Sequence, residues 1–195
     1  MSALIYIETS IPSFYHETRT EAQFQAMREW TREWWDIARL RDELVTSEAV
    51  LRELGRAPEA KRTDGLALLK PLPLLDIVDA VDELVAAYLA HRLMPRDAEG
   101  DAMHLALATF HECDILATWN CHRPPALLAH PPTTLVPSSS SALRAKAPPF
   151  GYLAPLGCRH IANVNKREHI HRVNVSLGFA TPLLTTPFEL LEQLP

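Results

Sequence analysis

Residues 5–10 read Ile-Tyr-Ile-Glu-Thr-Ser, an apolar run that stops at a carboxylate, Glu8, and continues into two hydroxyls, Thr9 and Ser10. A short β-branched and aromatic run closed by polar residues and then by Pro12 has the pattern of a fully buried strand. In an open parallel sheet, ligands bind just beyond the carboxyl ends of the strands. Glu8 therefore marks the edge at which chemistry is expected, provided that other carboxylates reach it from elsewhere in the chain.

The following residues alternate in period. After Ile11 and Pro12 a loop is expected, then an amphipathic helix from about Thr20 to Leu40, where Phe24, Met27, Trp30, Trp34, Ile37 and Ala38 recur at three- and four-residue intervals. That period accounts for the tryptophans as core or dimer-contact residues, ahead of base-stacking platforms. Leu44–Thr46 reads as a second strand. Ser47 opens a helix that Gly55 can stop, 58–70 reads as another helix, and Pro71–Ile77 as a third strand. Asp79–Leu93 is a helix with Val81, Leu84, Val85, Tyr88 and Leu89 on one face, broken at Met94-Pro95. A helix over 99–112 feeds a fourth strand, Ile115–Thr118. A basic helix (158–173), a last strand (182–185) and a terminal helix from Pro187 complete the pattern. Strands alternating with helices imply a parallel sheet with right-handed crossovers.

Residues 121–157 differ in kind. They hold eight of the sixteen prolines, a run of four serines (138–141) and no acidic residue. Such a segment buries too little apolar surface to offset its ordering entropy and is expected to be disordered or loosely draped. Joining Asn120 to Cys158 restores a smooth strand-turn-helix, so 121–157 reads as an insertion of 37 residues in a single 195-residue domain. A flexible loop whose ends are adjacent costs little, because closure entropy grows only logarithmically with length.

The bulk numbers narrow the classes. A net charge of −5 argues against broad electrostatic adhesion to nucleic acid, while leaving room for a local basic groove. No apolar run approaches the roughly 20 residues needed to span a bilayer, and the N-terminus lacks a basic segment followed by a long apolar one. Three cysteines (Cys113, Cys121, Cys158) without CxxC spacing favour reduced thiols. A cytoplasmic protein without membrane contact is expected.

Four chain positions converge on the expected carboxyl edge: Glu8, Glu53 on the helix after the second strand, Asp101 opening the helix before the fourth strand, and Asn120 at that strand's end. Gathered carboxylates repel one another unless a cation neutralises them. All-oxygen donors without cysteine or paired histidine suit Mg²⁺ or Mn²⁺ rather than zinc, and such a cation activates water against a phosphodiester. Each acid also has a plainer reading. Glu8 could cap a neighbouring helix. Glu48, Asp97, Glu99 and Asp101 could each complement a helix dipole from the first turn. His104 reads as a satisfied helix histidine one turn from Asp101. The basic residues Arg159, His160, Lys166, Arg167, His169, His171 and Arg172 form either a solvated face or a set of phosphate contacts.

Taken in order, IYIETS, TSEAVLREL, GDAMHLALA and DILATWN resemble the PIN domain, in particular the VapC-like toxins of bacterial toxin–antitoxin pairs. The resemblance implies a three-layer α/β/α sandwich around a mostly parallel sheet of about five strands. It places the first motif acid on Glu8, where aspartate is commoner. The second falls on Glu53, through S-x-x-x-x-x-E-L, rather than on Glu48. The third falls on Asp101. The fourth position, often Asp, is Asn120, which offers a carbonyl oxygen without charge and weakens the case for a second tightly bound metal. Thr9 and Thr118 match hydroxyl positions beside the first and fourth motifs. The activity implied is metal-dependent endoribonuclease chemistry, with Glu8, Glu53 and Asp101 holding Mg²⁺ or Mn²⁺ and Arg159, Lys166 and Arg167 available to RNA. A homodimer and a cognate antitoxin protein are implied as partners. A catalytically impaired RNA- or antitoxin-binding module and a hydrolase of small phosphoesters are the rival classes.

If 121–157 is a tolerated insertion, backbone amides over 125–155 exchange with deuterium at the rate of an unstructured chain. Strong protection there would mean that the segment contributes structure of its own.

Overall fold

The computed structural model describes residues 2–93, 100–120 and 164–193. Its elements are β1 (Leu4–Ile7), α1 (Ser10–Tyr15), α2 (Ala22–Arg41), β2 (Glu43–Ser47), α3 (Glu48–Gly55), α4 (Glu59–Leu69), β3 (Leu74–Leu75), α5 (Asp79–Ala90), α6 (Asp101–Phe110), β4 (Ile115–Ala117), α7 (Val164–Ser176), β5 (Leu183–Thr185) and α8 (Pro187–Glu192). The five strands form one sheet in the order β3-β2-β1-β4-β5, with every pairing parallel. Helices flank it, giving the α/β/α architecture expected from the alternation of periods.

β1 lies at the centre because it is apolar on both faces. Ile5, Tyr6 and Ile7 are buried, paired with β2 through Ile5↔Leu44 and with β4 through Ile7↔Ala117. β4 in turn pairs with β5 through Ala117↔Thr185. α6 is buried along almost its whole length, from Ala102 to Thr109, because it packs between the sheet and α5. From α5, Val81, Leu84, Val85 and Tyr88 face inward, as their spacing predicts. Where α6 and α7 meet α5, the Tyr88 hydroxyl donates to the Asn174 Oδ1 at 2.6 Å, and Thr109 completes the buried group.

Three expectations are corrected. The loop expected after Pro12 is the helix α1; Pro12 stands in its first turn, where a missing N–H costs nothing because no intrahelical carbonyl awaits it. The third strand is limited to Leu74–Leu75, since Pro71 and Pro73 have no N–H with which to extend the ladder. On α2, Trp35 is buried beside Trp34 in the core, whereas Trp30 is only half-buried, stacked on Trp119 and tilted against Phe188. The insertion assigned to 121–157, the residues 158–163 expected to open the basic helix, the Met94-Pro95 break and Glu99 all lie outside the described residues. Among the described residues no helix is long and apolar enough to cross a membrane.

Leu116 is fully buried in β4 between β1 and β5. Leu116→Ala is expected to destabilise the fold by about 2–5 kcal/mol, the range for a truncated core leucine, read as a lower urea midpoint at an unchanged slope.

Candidate active site

The strand order reverses direction at β1. The chain steps outward through β2 and β3 on one side and through β4 and β5 on the other. In open parallel sheets the crevice outside the carboxyl ends at such a switch point is where ligands bind. The residues that follow β1 and β4 are Glu8 and Thr118. α6 and α7 precede parallel strands and so begin at this same edge, and α3 leaves from it after β2.

Glu8 is 1% exposed. A buried carboxylate needs donors, and it has three. Ser10 N donates to Oε2 at 3.0 Å, while the hydroxyls of Ser10 and Thr118 both donate to Oε1. Each hydroxyl then accepts from the backbone after β4: Trp119 N donates to Ser10 Oγ at 2.7 Å, and Asn120 N to Thr118 Oγ1 at 2.9 Å. One carboxylate thus stitches the ends of β1 and β4 together. This fixes Asn120, half-buried, at the rim.

Glu53 comes from the second turn of α3 and is exposed as a whole residue. Its Oε2 accepts from the Thr9 hydroxyl and stands 3.1 Å from His104 Nε2. The His104 hydrogen bond, followed by the one from Thr9, outweighs burial and holds the Glu53 carboxyl below the usual glutamate range. His104 is almost fully buried, and its Nδ1 lies 2.9 Å from the Tyr6 hydroxyl, itself 2.7 Å from Ser47 Oγ. Burial raises the Tyr6 phenol far above its ordinary pKa, so it keeps its proton. An ionised Glu53 can only accept, so His104 Nε2–H is the donor of the bond between them. The histidine one turn from Asp101 therefore orients the acid of α3 and makes no hydrogen bond to Asp101.

Asp101 opens α6, half-buried. Burial and then the field of Glu8 push its carboxyl up from 3.8 to about 6; Glu53 adds to the rise, and His104 and Lys166 oppose it. Lys166, in the first turn of α7, is thus close enough for its charge to be felt at Asp101. Arg167 is half-buried, its Nε without a hydrogen-bond partner among the described residues, and Arg159 lies outside them. Glu48, read as structural, is exposed in the first turn of α3.

The PIN domain family model matches residues 5–120. The chain belongs to the PIN-domain family. The match runs from β1 to the residues that follow β4, so it contains the candidate residues Glu8, Glu53, Asp101 and Asn120. No curated protein and no solved structure matches the chain. PIN domains are nucleases in general, and this PIN domain presents carboxylates at the sheet edge where a nuclease needs them.

The chemistry of the donor set suits a divalent cation. Glu8, Glu53 and Asp101 offer only oxygen, which suits Mg²⁺ or Mn²⁺, and Asp101 registers the mutual repulsion that a cation would relieve. Glu8 spends three acceptor positions on Ser10 and Thr118, within the roughly four of an ionised carboxylate. Among the described residues no three His, Cys, Asp or Glu side chains are gathered closely enough to hold a metal as they stand. The fit is therefore one of chemistry and charge, with the acids still to be drawn together. Sequence reading missed Ser10, Tyr6 and Ser47. A hydroxyl two residues past the strand-end acid is the only signal that could have pointed to Ser10.

Because Asp101 binds its proton more tightly in the folded state, its stabilising contribution is complete below pH 4 and is lost as pH rises to about 6. Asp101→Asn removes that loss. The variant should be more stable than wild type by about 1–2 kcal/mol above pH 7, at roughly 1.4 kcal/mol per pK unit discounted for partial exposure, and the gap should close below pH 4 in denaturant titrations without divalent metal.

Proposed function

We propose that this PIN domain is a Mg²⁺- or Mn²⁺-dependent endoribonuclease, the VapC-like toxin of a toxin–antitoxin pair, acting in the cytoplasm as a homodimer and silenced by a cognate antitoxin protein. The observation that carries the nuclease part is the electrostatic coupling of Asp101 to Glu8 and Glu53 at the switch point of the sheet. The toxin role and the partners rest on the order and spacing of the four motifs, and the compartment on three cysteines without CxxC spacing, read as reduced thiols.

Glu8 and Asp101, with Glu53, would hold the cation. When bound, it lowers the pKa of water and offsets the charge developing on the phosphodiester oxygens. The chain's own residues do the positioning. Ser10 and Thr118 fix Glu8, so its carboxylate is held in one place at the strand end. His104, oriented by Tyr6, and Thr9 keep Glu53 ionised and aimed. Asn120, clamped through its backbone N–H, can offer its side-chain amide to the phosphate. Preorganised groups of this kind contribute by avoiding reorganisation as charge develops.

A second reading, a catalytically impaired RNA- or antitoxin-binding module, draws on two observations: the uncharged Asn120, and acids that do not form a ready three-residue cluster. Cleavage of a labelled RNA panel with Mg²⁺ or Mn²⁺, by wild type and Asp101→Asn, separates the two. The nuclease gives metal-dependent cleavage in wild type that falls at least 100-fold in the variant. Metal and RNA binding with no cleavage establishes the module, and equal cleavage by both proteins removes Asp101 from the site. Hydrolysis of a chromogenic phosphodiester with no effect on RNA would indicate a small-phosphoester hydrolase.

A further inference from the structure

Arg52 and Arg56 were not among the residues singled out by their sequence pattern, yet they stand beside the carboxylates. Ala49, Arg52, Glu53 and Arg56 recur at helical spacing along one face of α3 and its C-cap, and with Met103 of α6 they line a shallow recess at the seam between the two helices. Glu53 is the acid that His104 and Thr9 aim at the site, so the recess opens directly beside the candidate centre. Both arginines are exposed. Arg56 acts electrostatically on Glu53, as Lys166 does on Asp101. α3 follows β2 and α7 precedes β5, on opposite sides of β1 in the strand order. The carboxylates therefore lie between a cationic pair on the β2 side and a lysine on the β5 side.

We propose that Arg52 and Arg56 form a phosphate-binding wall of the substrate track, holding consecutive phosphates of a single RNA strand on the α3 side of the scissile bond while Lys166 meets the strand on the other side. This rests on the nuclease reading above. A chain of net charge −5 gains little from long-range attraction to RNA, and the carboxylates themselves repel phosphate. Local cations on both flanks answer this, since each phosphate they neutralise releases counterions. Residues four apart on a helix are separated by about 6 Å along its axis, and guanidinium forks recognise phosphate oxygens in bidentate fashion. Arg52 and Arg56 are thus positioning residues. They would set which way the strand runs across the acids without touching the reacting atoms.

The test is the salt dependence of binding of a fluorescent single-stranded RNA to Asp101→Asn protein, with and without R52A/R56A. At about 0.7 per phosphate contact on a single strand, the double variant should lower the log–log salt slope by about 1.4 and weaken binding about tenfold at low salt. R52K/R56K, which keeps the charge, should restore most of the slope. R39A/R41A, at the end of α2 that leads into β2 and so at the opposite sheet edge, should leave the slope unchanged. Binding whose slope R52A/R56A does not alter overturns the phosphate wall while leaving the nuclease reading intact, and so does an equal fall in R39A/R41A. No RNA binding by the Asp101→Asn parent at any salt overturns both.

Discussion

The structure depends first on the buried carboxylate of Glu8. An ionisable group 1% exposed would be costly without donors, and the chain meets that demand from both sides of the topological switch. Ser10 follows β1 and Thr118 follows β4, so satisfying Glu8 ties together two strand ends that are neighbours in space and 110 residues apart in sequence. The same hydroxyls order Trp119 and Asn120. A methylene-longer acid in place of aspartate is accommodated here by hydroxyl donors on either side of it.

The three acids differ in environment, and that difference is the electrostatic character of the site. Glu53 is drawn down by hydrogen bonds that favour its charged form, and Asp101 is pushed up by burial and by its acidic neighbours. Carboxyls driven in opposite directions within one crevice are candidates for acid–base or metal-holding roles. Glu17 shows the contrast. It is buried, holds the Arg19 guanidinium and the Thr18 and Arg19 amides, and lies 3.4 Å from Lys61, so its carboxyl falls to about 2. It secures the chain between α1 and α2 against α4 and has no part in the crevice.

Satisfied polar groups also hold α7 in register. Asn174, fully buried, accepts from Tyr88 on α5 and donates to Thr109 on α6 and to the Ala180 carbonyl. A helix with little apolar periodicity is thereby placed by specific hydrogen bonds, with Ile170 and Val173 supplying the buried contacts. Its N-terminal end, carrying Lys166, comes to the carboxyl edge as a consequence. A buried network of this kind fixes a helix only when each member has its partner.

The sequence by itself determined the strands, the helices that alternate with them and the acids at their ends. Hydrophobic period is a local property, and a β-branched run ending in Glu8 or in Thr118 carries its own boundary. It also determined that Trp34 and Ala38 face inward, because their spacing is helical. It could not determine α1, where Pro12 reads as a break unless the position within the first turn is known. Nor could it reveal that β3 pairs over only two residues, which depends on where β2 places its partner carbonyls. Tertiary structure alone decided that Glu53 is oriented by His104 and Thr9, that Tyr6 bonds the histidine's Nδ1, that Ser10 shares Glu8 with Thr118, and that Arg52 and Arg56 border the site. These relations join residues up to 110 positions apart. Hydrogen bonds and fields depend on distance in space, and only the folded sheet sets that distance.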